Sequence, residues 1–176
     1  SKHGARVTVG WGGLTVQQTT VSHPEAQAQW GYRLLQDKKY ELAHFLGPRL
    51  WHMPILEYQN ATNDQFLSRS PQLLGLAETV RFTMATSDKF QLGFLAEISQ
   101  ALFSASSDTA IKRIKIPSLN YKLEMFGNYR LSEDFSTFAG LGYRENSLAY
   151  EVENQSEISK VKMESPSLSL GLTYTF

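Results

Sequence analysis

The 176-residue chain contains no cysteine, which excludes a disulfide framework and a cysteine-ligated metal site. It also lacks any run of about 18 apolar residues, so a membrane-spanning helix is excluded. Neither sign of charge is in excess, because 17 basic residues balance 17 acidic ones, and this gives no bulk attraction to nucleic acid. Linkers, low-complexity segments and long internal repeats are absent as well. We therefore expect one domain over residues 1–176.

Strict alternation of side chains takes the place of long apolar runs. Within residues 166–176, Leu168, Leu170, Leu172, Tyr174 and Phe176 alternate with serine, glycine and threonine. Because successive side chains of a strand point to opposite faces, this segment predicts a strand with one continuous apolar face. The same pattern recurs in most other segments, with charged residues on the opposite face. The sequence therefore predicts an all-β fold.

The alternation predicts eight strands whose connections differ systematically in length. The strands are expected at about 5–18, 29–46, 50–60, 73–86, 90–104, 117–131, 135–151 and 159–176. Short turns are expected at 47–49, 87–89 and 132–134, and longer loops near 19–28, 61–72, 105–116 and 152–158. An even strand number with short turns at one rim and longer loops at the other is typical of bacterial outer-membrane barrels. We therefore predict an eight-stranded antiparallel up-and-down transmembrane β-barrel.

The charged face of these strands has a predicted destination. If the apolar face meets lipid, the other face fills the interior, which in an eight-stranded barrel is just wide enough for side chains. Unpaired buried charges are costly, so basic and acidic groups there should face one another. The charged residues that we expect to form this interior polar network are Arg81, Glu97, Lys122, Glu124, Arg130 and Arg144. A soluble lipocalin-like barrel would instead place its apolar face inside, and this arrangement stays an alternative.

One loop and the histidines are the other candidate sites. Lys112, Arg113 and Lys115 lie in the loop near 105–116 and could contact an anion or the phosphates of lipopolysaccharide, although a solvated basic loop is the simpler interpretation. His44 and His52 flank the predicted 47–49 turn and could approach each other, but two histidines make a poor metal site. We therefore expect no metal, no cofactor and no catalytic residue.

These residues together resemble the small eight-stranded outer-membrane proteins, such as the OmpA transmembrane domain, OmpX, OmpW and NspA. The similarity is architectural and covers nearly the whole chain; its local motif is the terminal Tyr174-Thr175-Phe176 after alternating leucines. The resemblance implies that Leu172, Tyr174 and Phe176 form the signal read by the barrel-assembly machinery. It also implies a Gram-negative outer-membrane location, contact with membrane lipids and lipopolysaccharide, and a monomeric, porin-like chain that binds no nucleic acid.

Three functions are compatible with such a barrel. We expect a non-enzymatic protein with a structural or interaction role, exercised through its short surface loops. The alternative is a narrow channel for small or apolar solutes, as in OmpW-like barrels, which a continuous water path through the interior would favour. A lipid-modifying enzyme is less favoured, because the His-x-Ser strand motif of the lipid A 3-O-deacylase family is missing from this sequence.

Overall fold

The structure, a computed structural model, describes the backbone of residues 3–10, 13–16, 19–22, 24–60, 65–104, 111–115, 117–152 and 158–175. It describes the side chains of residues 3–10, 24–54, 70–104, 113–115, 117–151 and 158–172. All regular elements in these ranges are strands, and none of the described residues belongs to a helix long and apolar enough to cross a membrane. The predicted all-β class is confirmed.

Thirteen strands occupy the described ranges. They are β1 (His3–Gly10), β2 (Gly13–Val16), β3 (Thr19–Ser22), β4 (Glu25–Gln36), β5 (Tyr40–His52), β6 (Ile55–Asn60), β7 (Gln65–Arg69), β8 (Gln72–Ala85), β9 (Phe90–Ser104), β10 (Ile111–Lys115), β11 (Leu119–Arg130), β12 (Phe135–Val152) and β13 (Ile158–Thr175). Eight of them form a closed antiparallel ring in the order β1, β4, β5, β8, β9, β11, β12, β13 and back to β1. Neighbours in the ring follow chain order. The predicted eight-stranded up-and-down barrel is therefore confirmed.

Two of the predicted short turns are present and share one design. In the turn between β8 and β9, the Ser87 hydroxyl accepts a hydrogen bond from the Phe90 amide at 3.1 Å. In the turn between β11 and β12, Ser132 accepts one from the Phe135 amide, also at 3.1 Å. Serine side chains favour such local hydrogen bonds to the backbone. This explains why the same Ser-acid-x-Phe pattern forms the turn in both hairpins.

The third short turn was predicted in the wrong place. Residues 47–49 lie inside β5, and the turn is at 37–39, where the Asp37 amide donates to the Tyr40 carbonyl at 2.8 Å. The β4–β5 pairing passes from Gln27↔Arg49 to Trp30↔Leu46, so Gly47 and Pro48 fall at an interruption of this ladder. A proline is tolerated where no ladder hydrogen bond is required of it. The strands expected at 29–46 and 50–60 therefore become β4 and the consecutive pair β5 and β6.

The longer loops contain strands of their own. Residues 19–22 and 65–69, predicted as loop, form β3 and β7, which pair with β2 and β6 as two small separate sheets. Residues 111–115 form β10, which pairs with the outer part of β12. The predicted longer connections between ring strands are therefore present, but parts of them are strands and not loops.

The two faces of the ring have opposite polarity. Arg49 and Lys122 point inward and are 1% and 3% exposed, whereas Leu123 and Leu141 point outward and are 63% and 71% exposed. Exposed aromatic residues mark both limits of the outer apolar band: Tyr40, Phe90, Tyr129 and Phe135 near the short turns, and Phe103, Tyr121 and Tyr143 toward the other rim. The buried interior of the ring is therefore the candidate functional site.

Candidate functional site

The alternation of side-chain direction along each strand determines which side chains point into the interior. On β11, Lys122 and Glu124 face inward while Tyr121, Leu123 and Met125 face outward. The same period of two along the other ring strands brings a set of charges to one layer inside the ring. The buried members of this layer are Arg6, Glu25, Arg49, Glu97, Lys122, Glu124 and Arg144.

Glu25 and Arg49 form the centre of this layer. Arg49 Nη2 lies 2.7 Å from Glu25 Oε2, and Arg49 Nη1 lies 3.4 Å from Glu97 Oε1. On the far side of Glu25, Arg144 Nη2 lies 2.5 Å from Oε1. Arg49 also donates to Ser99 Oγ at 2.6 Å, and its guanidinium lies 4.8 Å from the centre of the Trp51 ring. Arg49 therefore ties β4, β9 and its own strand together.

A second ion pair lies on β11. Lys122 Nζ lies 2.6 Å from Glu124 Oε2, and it also donates a hydrogen bond to Ser169 Oγ on β13. Glu124 leans over Gly140 of β12, where an added Cβ would lie 2.5 Å from Glu124 Oε1. The glycine thus makes the space in which the carboxylate can reach Lys122.

Neutral polar side chains connect the charged groups across the ring. Gln27 Nε2 donates to Glu97 Oε2 at 2.8 Å, and the Thr79 hydroxyl donates to the same oxygen at 3.2 Å. Gln29 Nε2 in turn donates to Thr79 Oγ1 at 2.8 Å. Arg6 extends the layer to β1, with its guanidinium 4.9 Å from the centre of the Phe138 ring. Such a connected network limits the desolvation cost of burying these charges.

Two apolar clusters bound the charged layer. Toward the short turns, Leu95, Phe126 and Phe138 pack together, with the two phenylalanine rings in edge contact at 6.0 Å. Toward the other rim lies a larger buried cluster consisting of Trp51, Met53, Leu73, Ala101, Leu148 and Tyr150. Partly buried Ile114, Val161 and Met163, from β10 and β13, pack against this second cluster. The interior is therefore apolar, charged and apolar again along its axis.

A polar cavity opens at the rim of the short turns. Its volume is about 630 Å³, and its lining includes Glu41, Gln91 and Arg130. Glu41 lies between two cations, with Oε1 2.7 Å from Arg81 Nη2 and Oε2 3.2 Å from Arg33 Nε. Arg81 therefore forms its ion pair at the mouth of the barrel, the opening of this cavity, and not in the central charged layer.

The structure thus separates the six residues predicted to form one interior network. Glu97, Lys122, Glu124 and Arg144 lie in the charged layer, Arg81 lies at the mouth, and Arg130 is exposed where β11 ends. Glu25 and Arg49 escaped the sequence reasoning, because they were placed in a loop and a turn. The signal for Glu25 was its alternation, together with Gln27 and Gln29, with alanines, which continues the inward face of β4.

The predicted basic site lies at the opposite rim. Lys115 Nζ lies 2.5 Å from Glu151 Oε1, Arg113 is exposed, and the side chain of Lys112 lies outside the described residues. Nearby, Lys162 lies beyond the apolar band, and hydrogen bonds to Glu164 and Glu145 raise its pKa. Of the predicted assembly signal, Leu172 is exposed on the outer face, and the side chain of Tyr174 and all of Phe176 lie outside the described residues.

The chemistry of the interior is that of charge pairing. Glu25, Glu97 and Glu124 each have a basic partner within 3.4 Å, so none of the three is poised as a free base. Among the residues that the structure describes, no three histidine, aspartate or glutamate side chains gather as a metal site. His44 and His52, predicted to flank a turn, lie in the single strand β5.

Comparisons with known proteins assign no family. No protein-family model matches the chain, and no curated protein sequence matches it. Among solved structures, the chain is similar to the CymD monoaromatic hydrocarbon channel at 8% identity and a TM-score of 0.24, covering 99% of this chain and 88% of that one. A TM-score this low supports neither a fold nor a function for the chain.

Proposed function

We propose that the chain is a bacterial outer-membrane barrel with a closed interior and no catalytic activity. Its role is structural or interactive, exercised through the rim opposite the short turns. One observation carries this proposal: inside the ring, a layer of paired charges lies between two apolar clusters, while the outside of the ring is an apolar band.

The inverted polarity is what favours a membrane. In water, Arg49 and Lys122 would be buried at a desolvation cost while Leu123, Leu141 and Leu170 stood exposed. A lipid environment reverses the balance, because the leucines then face hydrocarbon and the charges are sheltered from it. The soluble lipocalin-like alternative requires the opposite arrangement, with apolar residues throughout the interior.

The filled interior is what favours a closed barrel. Trp51, Met53 and Leu73 are 2%, 0% and 1% exposed, so their cluster blocks the interior above the charged layer. Below it, Phe126 and Phe138 are each 5% exposed and lie between the charged layer and the cavity at the short-turn rim. If an open water path ran along the barrel axis, these side chains would be exposed to water.

Extraction and conductance measurements test the proposal in two steps. We expect the chain to need detergent for extraction, to fold into lipid vesicles, and to migrate differently on a gel before and after heating. Planar-bilayer recording of the folded chain should then show no large, persistent pore. A monodisperse protein in plain buffer would contradict the membrane assignment. Steady conductance from a folded barrel would contradict the closed interior and favour the channel alternative.

The partner that we propose at the outer rim is a lipid with an anionic headgroup, such as lipopolysaccharide. A groove of about 520 Å³ lies there, with Lys115, Lys160 and Lys162 at its edges and apolar Leu148 and Ile158 in its lining. Lysines at the edge of an apolar groove suit a lipid, because they can pair with its phosphate while the groove holds its acyl chain.

Binding to vesicles that contain lipopolysaccharide tests this partner. Lys160→Ala should weaken the binding, because the charge that faces the lipid phosphates is lost. Lys89→Ala, in the turn between β8 and β9 at the opposite rim, is the matched control and should bind as the unchanged chain does. Equal binding by both variants would refute the contact.

A further inference from the structure

A histidine–glutamate pair lies on the outside of the ring, where apolar side chains are the rule. His44 Nε2 and Glu78 Oε1 are hydrogen-bonded at 2.9 Å, and their side chains are 35% and 55% exposed. His44 belongs to β5 and Glu78 to the neighbouring β8. Neither side chain points toward the charged interior.

The pair lies within the apolar band and away from its edges. On β8, Leu74 and Leu76 precede Glu78 on the outward face, and Val80 and Phe82 follow it. In the ladders, Glu78 is level with Leu46 of β5 and Ile98 of β9. If the band meets lipid, as proposed above, the pair therefore faces hydrocarbon.

Such a pair is costly unless something covers it. Among the described residues, the bond between the two side chains is the one polar contact of either, so His44 Nδ1 and Glu78 Oε2 have no partner within that part of the chain. By contrast, the outward residues Leu92, Phe94 and Ile98 of β9 are apolar. Ionisable residues at membrane depth usually face a partner or a polar cavity.

We infer that this face of β5 and β8 is the interface of a homodimer in the membrane, an inference that rests on the proposed membrane location. A two-fold axis beside the pair would present each imidazole to the carboxylate of the other copy, because the patch carries both a donor and an acceptor. On β9, the small outward side chain of Ala96 is level with Val80 and His44, which allows close approach on that side of the pair. We propose this dimer in place of the monomer expected from the sequence.

Sedimentation equilibrium in density-matched detergent, with the full chain refolded, tests the interface. We expect a dimer, and we expect the variant His44→Leu with Glu78→Leu to associate about tenfold more weakly, the effect of losing two intramembrane hydrogen bonds. This variant should still fold, because it makes the lipid-facing surface more apolar. The matched control is Thr137→Leu, which removes a polar side chain from β12, three strands from β8 and four from β5 around the ring, and should leave the dimer intact.

Single cysteines supply an independent readout, because the chain has none of its own. Val80→Cys lies beside the pair, opposite His44 in the β5–β8 ladder, and should form a disulfide-linked dimer on mild oxidation in vesicles. Leu168→Cys, on the far side of the ring in β13, should stay largely uncrosslinked. A chain that inserts into vesicles but sediments as a monomer, or a double-leucine variant that dimerises as tightly as the unchanged chain, would overturn the inference. Failure to insert at all would count against the membrane proposal instead.

Discussion

Replacing Arg49 by methionine probes the centre of the charged layer. Methionine keeps much of the arginine's length but removes the cation that contacts Glu25 at 2.7 Å and Glu97 at 3.4 Å. Glu25 would keep Arg144 at 2.5 Å, whereas Glu97 would lose its close ion pair and retain neutral partners. Breaking a buried ion pair from one side costs about 3–5 kcal/mol, so we expect a loss of unfolding free energy in that range.

Urea unfolding of the barrel in lipid vesicles measures this loss, with tryptophan fluorescence and the gel shift as two independent signals. Arg130→Met is the matched control: the same substitution at the exposed end of β11 should change the unfolding free energy by only about 0.5 kcal/mol or less. Adding Glu97→Gln to Arg49→Met should restore part of the stability, because the uncompensated carboxylate is then neutral. Equal effects of Arg49→Met and Arg130→Met would mean that Arg49 is at the surface, as a turn at 47–49 would place it.

Further substitutions test other parts of the structure by the same unfolding assay. Leu123→Arg or Leu170→Arg should each cost about 2–4 kcal/mol in vesicles if the band faces lipid, and a harmless change would contradict that placement. Gly140→Val should destabilise the barrel by about 1–3 kcal/mol, because its side chain meets Glu124, whereas Ala139→Val on the outer face should be nearly neutral. Trp51→Ala should cost about 3–5 kcal/mol by emptying the apolar cluster above the charged layer, and a loss below 1 kcal/mol would show that the cluster is not packed.

The part of the site that lies in regular strands could be predicted from the sequence. Lys122 and Glu124 lie in a strand whose alternation is unbroken, so their inward direction followed from the period of two. The inward direction of Arg49 was not predicted, because Gly47-Pro48 is a strong local signal for a turn. The pairing of β5 with β8, which continues through both residues, outweighs that signal, and no local pattern reports such long-range pairing.

The apolar cluster and the His44–Glu78 pair were beyond the sequence for the same kind of reason. Tyr150 and Trp51 are more than 90 residues apart in the chain and share one buried cluster, because β12 continues to Val152, beyond Asn146, where its pairing with β11 ends. His44 and Glu78 meet only in one register of β5 against β8, and the misplaced turn had hidden that register. Side chains within one strand follow from local periodicity, whereas contacts between distant strands require the whole ring.

The ladder that closes the ring sets the order in which the barrel can form. β1 and β13 pair over Gly4–Val9 and Leu170–Thr175, the two ends of the sheet, whereas β12 and β13 pair from Phe135 to Glu151. Hairpins between consecutive strands close short loops and can form early, but the β1–β13 contact must join residues more than 160 positions apart. We therefore expect closure of this seam to come last in folding, after the seven consecutive pairings, with the edges of β1 and β13 unpaired until then.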